Sequence, residues 1–129
     1  MRKIILYVLA AYFVLTSAYL FLFPQIFYDS TPGLAEMGPF NFHFIRDVSF
    51  AFFVGGATLA YGATIGRRDV LVIGAAWPFL HALFHLTIWM HKGFSFDVIW
   101  ASDFAGVVVP GFLAMGIAMT SRTPANAAP

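Results

Sequence analysis

Cysteine is absent from this 129-residue chain, and only 10% of its residues are charged. Without a thiol there is no disulfide framework, no cysteine-ligated zinc site, no thiol nucleophile and no dithiol chemistry of the kind used by quinone-linked oxidoreductases. The formal net charge is +1 and no run of like charges occurs, so there is no basic surface or tail for nucleic acid. Histidine is also scarce. Four residues are too few for the histidine-rich membrane di-iron hydroxylases and desaturases. Ser49, Ser95 and Ser102 lack a nucleophile signature or a paired base at useful spacing, which argues against intramembrane serine hydrolysis.

What the chain does have is apolar surface. Hydrophobic residues make up 60% and aromatic residues 19% of it, and mean hydropathy is +0.82. Soluble domains are about half apolar and a quarter charged. Four windows, roughly 4–23, 43–65, 70–91 and 97–119, are long and apolar enough to cross a bilayer, which takes about 20 helical residues. The fold expected is an all-α four-helix transmembrane bundle, one domain over 1–129, with a frayed tail at 120–129. The first window follows Met1-Arg2-Lys3, and its apolar run continues past Ala18 for longer than a signal-peptide core, so it is read as a retained span. Arg2, Lys3, Arg67, Arg68 and Arg122 fall at the termini and in the loop between spans two and three, whereas the other loops offer only Lys92. Both the N- and C-termini are therefore expected in the cytoplasm. Pro24, Pro32-Gly33 and Gly38-Pro39 predict an irregular outer loop over 24–42.

The polar residues inside the spans gather in one layer. Counting about 1.5 Å per residue from the outer boundary puts Arg46 and Asp47 about 5–8 Å deep, His85 and Asp103 roughly 9 Å and His81 roughly 15 Å. His43, Arg46 and Asp47 stand at i, i+3 and i+4, and His81 and His85 at i, i+4, so each set can share a helix face. Charges in lipid find partners or wet cavities. Arg46 and Asp47 are sequence neighbours that face apart, which makes Asp103 the expected ionic partner of Arg46. The remaining negative charge can be met by a proton on Asp47, by a charged histidine or by a bound cation.

Two function classes follow. In the first, His43, His81 and His85, with Asp47 or Asp103, bind a metal ion (copper, zinc or iron) or a redox cofactor, Arg46 orienting the ligands. Haem or a quinone ranks below a metal ion in this class, because His43 and His81 differ in depth and the boundary aromatics are ordinary interfacial anchors. In the second, the chain is a non-catalytic structural or assembly subunit whose polar cluster only fixes helix packing. Small residues four apart, Ala51/Gly55, Gly56/Ala60, Gly62/Gly66, Ala101/Ala105 and Ala114/Ala118, predict close helix contacts in either case. Pro78 predicts a bend one turn before His81 and frees the Gly74 carbonyl.

The motifs Asn41-x-His43-x-x-Arg46-Asp47 and His81-Ala-Leu-Phe-His85 resemble those of small, uncharacterised four-span bacterial membrane proteins, loosely DoxX-like in layout. The resemblance covers roughly 1–119. It implies a multi-pass four-helix bundle of the bacterial inner membrane in which His43, Arg46, Asp47, His81 and His85 are the marked positions, and no biochemical role comes with it. The small size of the chain separately favours a component of a larger membrane complex or a homo-oligomer over a lone enzyme.

Overall fold

The computed structural model describes residues 1–122 and is all-helical over them. Its long helices are α1 (Arg2–Leu22), α3 (Phe42–Ile65), α4 (Arg68–His91) and α5 (Val98–Thr120), and each is long and apolar enough to cross a membrane. All four fall where hydropathy predicts them. Most of the expected frayed tail lies outside the described residues.

The helix ends follow local chemistry. The Asn41 side chain accepts the Phe44 N–H at 2.9 Å and opens α3, while Gly66, at φ 69°, closes it. Gly66 is left-handed there, and the Arg67 N–H reaches back to the Gly62 carbonyl at 3.2 Å, the six-to-one bond that glycine at this position allows. Asp97 opens α5 by accepting the Trp100 N–H at 2.9 Å, and Ser95 donates to its other oxygen at 3.1 Å. These donors hold the Asp97 carboxyl below the usual carboxylate range. A carboxyl so lowered contributes its stabilisation above its unfolded value and loses it as pH falls through the folded one. An Asp97→Asn variant should therefore show a flatter acid limb when α5 helicity is followed by circular dichroism.

The loop over 24–42 departs from expectation in one respect. Pro24 ends α1, but it also begins the short helix α2 (Pro24–Ser30), because a first-turn proline needs no N–H partner. A 3₁₀ turn, Leu34–Met37, follows. The loop then ties across the bundle: Lys92 pairs with Glu36 at 3.0 Å, and Gly33 lies so close to Ile99 that a Cβ would come within 2.7 Å of it.

Packing proceeds around a ring, α1 against α3, α3 against α4 and α4 against α5, closed by a thinner contact between α5 and α1. Glycine sets the close approaches. A Cβ on Gly56 would stand 2.9 Å from the Ala10 carbonyl of α1, one on Gly62 2.9 Å from the Leu71 nitrogen, and one on Gly111 2.6 Å from the Pro78 carbonyl. Gly55 lies beside the Gly74 carbonyl, the group that Pro78 deprives of its helical donor. Ala114 and Ala118 are fully buried. Ala101 and Ala105 are exposed, so that predicted seam is not used within the chain.

A second proline acts in the same way in α5. Pro110 has no N–H to offer Gly106, four residues back, and the helix widens over Phe104–Val108 into a π turn in which the Val109 N–H bonds the Phe104 carbonyl. The Tyr12 hydroxyl of α1 donates to the Gly106 carbonyl at 2.6 Å. Removing that hydroxyl in Tyr12→Phe should cost about 0.5–1.5 kcal/mol, the net worth of one such bond, read as a lowered unfolding midpoint in detergent. The same change in a Pro110→Ala background, where the regular donor returns, should cost less.

Candidate functional site

The residues expected to form one cluster separate into three groups. The reason is the rotation of α3. Its buried side is Ile45, Ser49, Phe52, Gly56, Leu59 and Ala63, a stripe at alternating spacings of four and three. Asp47 follows Ile45 by two residues, about 200° around the helix, and so points away from the bundle.

His43 and Asp47 form the first group. His43 Nδ1 lies 2.9 Å from Asp47 Oδ2, and the side chains are 87% and 58% exposed. They pair with each other on the outside of the bundle and do not join the other histidines.

Arg46 forms the second. The expected Arg46–Asp103 ion pair is not made, because α3 and α5 lie diagonally across the ring. Arg46 turns to the end of α1, where its Nε donates to the Phe21 carbonyl at 3.3 Å. Its guanidinium carbon sits 3.9 Å from the centre of the Phe42 ring and 4.6 Å from that of Phe21. The last carbonyls of a helix lack intrahelical donors and carry the negative end of its dipole, and Pro24 removes one more donor there. A cation between two aromatic faces at a helix C-terminus is stabilised without a carboxylate.

His81, His85 and Asp103 make the third. His85 Nδ1 of α4 stands 2.9 Å from Asp103 Oδ2 of α5, with side-chain exposures of 18% and 23%. The distance is that of an ion pair, but the buried Nδ1 has no partner in hydrogen-bond direction, so the carboxylate sits off the axis of the ring N–H. We take the contact as electrostatic attraction between close groups, without the strength of a linear bond. His81, one turn earlier, stacks on Trp77 with ring centres 4.8 Å apart and planes 14° apart, and meets Phe52 of α3 edge-on at 5.8 Å. The two imidazoles are nearly perpendicular at 4.7 Å. Beside His85 and Asp103 a small crevice, lined also by Trp89, Trp100 and Phe104, has room for about one water molecule.

The metal set expected from the sequence, His43, Asp47, His81, His85 and Asp103, is thus not assembled. Among the described residues no group of three or more histidine, aspartate or glutamate side chains is arranged to hold a metal ion. Nor does the crevice offer the volume of a haem or quinone pocket, about 300 Å³ or more.

No family model, curated protein or solved structure matches this chain. Function must therefore be argued from the geometry. Sequence reasoning missed the Tyr12–Gly106 contact, although its signal was present: the argument that Pro78 frees the Gly74 carbonyl applies equally to Pro110 and Gly106. It also missed the clasp of Trp89 Nε1 on the Ser95 carbonyl at 2.8 Å and the role of the α1 terminus as the partner of Arg46.

Proposed function

We propose that the chain is a non-catalytic assembly subunit of the bacterial inner membrane, its termini cytoplasmic, whose intramembrane polar residues lock helices to one another. The observation that carries this reading is the separation of the predicted cluster into local partnerships. Arg46 ties α3 to α1, His85 and Asp103 tie α4 to α5, and His81 fills the α3–α4 seam against Trp77 and Phe52. Each has a packing partner, and among the described residues no set of ligands is left converging on a centre. Polar groups in lipid hold helices together in this way.

The outer surface supports an assembly role. Only 22–39% of each span's most apolar window is buried within the chain, and α3 presents Phe50, Val54 and Tyr61 outward below the His43–Asp47 pair. The small size of the chain, 129 residues, also suits a component of a larger complex better than a lone enzyme. The test is the size of the native assembly after gentle solubilisation of the host membrane. The expected result is a species well above monomer mass that persists when His85 and Asp103 are both replaced by leucine. A monomer in the native membrane would refute it.

One observation favours the competing metal or redox reading. A carboxylate at Nδ1 leaves Nε2 of His85 available, the arrangement common to metal-bound histidines, and His81 is adjacent. Such a site would need its remaining ligands from outside the chain.

A further inference from the structure

One polar group that helix packing does not use is the outward His43–Asp47 pair. We propose that it is half of a divalent transition-metal site completed by the same pair from a second copy of the chain. The inference rests on the assembly reading above and names one partner.

The argument begins with distance. Nδ1 and Oδ2 are 2.9 Å apart. Two ligands of a tetrahedral ion with bonds near 2.0–2.1 Å are separated by about 3.4 Å, so a rotation of a few tenths of an ångström lets the ion take the position between them. Any proton the pair shares leaves on binding, because imidazole and carboxylate ligate in their deprotonated forms. The position is reachable, since His43 is the second residue of α3 and 87% exposed.

Stoichiometry points to the second copy. One chain supplies two ligands and one negative charge, whereas a closed site takes four ligands. Two copies related by a two-fold axis along the membrane normal hold their His43 and Asp47 at equal depth, and the repeated pair gives two imidazoles and two carboxylates. The two carboxylates neutralise a dication. An isologous contact of this kind runs down the exposed α3 face through Phe50 and Val54. It also explains an ionisable pair on the outer face of a span, since such residues rarely face lipid.

The test uses the purified full-length protein in mild detergent with zinc chloride as the probe and light-scattering molar mass as the readout. Zinc should double the protein mass, and a chelator should reverse it. His43→Ala should weaken the response at least tenfold, and Asp47→Asn should weaken it too, while the His81→Ala/His85→Ala double variant should respond as the parent does. Three results would overturn the proposal: no mass change, zinc binding by a protein that stays monomeric, or equal dimerisation of His43→Ala. None of these bears on the assembly reading, which stands or falls on the complex in the native membrane. Circular dichroism of His43→Ala checks that it is folded, and for an exposed position it should match the parent.

Discussion

Gly74→Ala is expected to be among the most destabilising single-methyl changes in the molecule. The added carbon would lie 2.6 Å from the Leu59 nitrogen and 3.0 Å from its Cα and from the Thr58 carbonyl carbon. These are backbone atoms of α3, which cannot rotate aside as a side chain can, so α3 and α4 must move apart along the seam that also positions Phe52, Trp77 and His81. Overpacking of this kind costs about 1–3 kcal/mol, more than the roughly 1 kcal/mol that alanine gains over glycine in a helix. A lowered unfolding midpoint in detergent is the readout. Gly116→Ala is the control, because nothing lies within 4 Å of its added methyl, and it should be neutral or slightly stabilising. Equal effects at the two positions would mean that α3 and α4 do not approach as described.

The second large effect concerns His85 and Asp103. Replacing Asp103 alone with leucine takes the carboxylate away from His85 Nδ1, a buried polar atom already without a hydrogen-bond partner, so the cost should fall toward the low end of the roughly 1–3 kcal/mol for stranding a buried polar group. Replacing His85 alone strands the carboxylate in a mostly buried crevice, and breaking a buried pair from one side is costly in general. The double leucine variant removes both groups and closes the α4–α5 contact with apolar packing, which is often neutral or better. The expected double-mutant cycle is therefore non-additive, the double variant more stable than either single one. Strict additivity would show that the two groups do not interact, despite their 2.9 Å separation. Because the carboxylate lies off the ring N–H axis, the coupling should fall below that of a linear buried ion pair.

Much of the fold was legible in the sequence because the bilayer imposes a length. The four windows and the proline effect at Gly74 could each be read from local chemistry. The rotation of each helix could not. In a soluble bundle an apolar stripe marks the inner side, but on α3 the outward residues Phe50, Val54 and Tyr61 are as apolar as the inward Ile45, Phe52 and Leu59. Periodicity therefore showed that His43 and Asp47 share a face without showing that the face points out. The equal depth counted for His85 and Asp103 agrees with their 2.9 Å contact, yet equal depth does not make neighbours. Arg46 and Asp103 sit on helices that are diagonal in the ring, and ring order follows from which glycine seams fit, a property of two surfaces together. The partner of Arg46 was obscured for another reason: it is a backbone carbonyl exposed by the end of α1, and charge counting among side chains does not see it.

The central claim is that His81 and His85 hold helices together and do not hold a ligand. Elemental analysis and an absorption spectrum, taken on the parent and on the His81→Ala/His85→Ala double variant purified side by side from native membranes, test it most directly. The account predicts the same metal content in both and no cofactor band that depends on these histidines. A stoichiometric metal or a chromophore present in the parent and gone from the double variant, with the variant still folded, would contradict it.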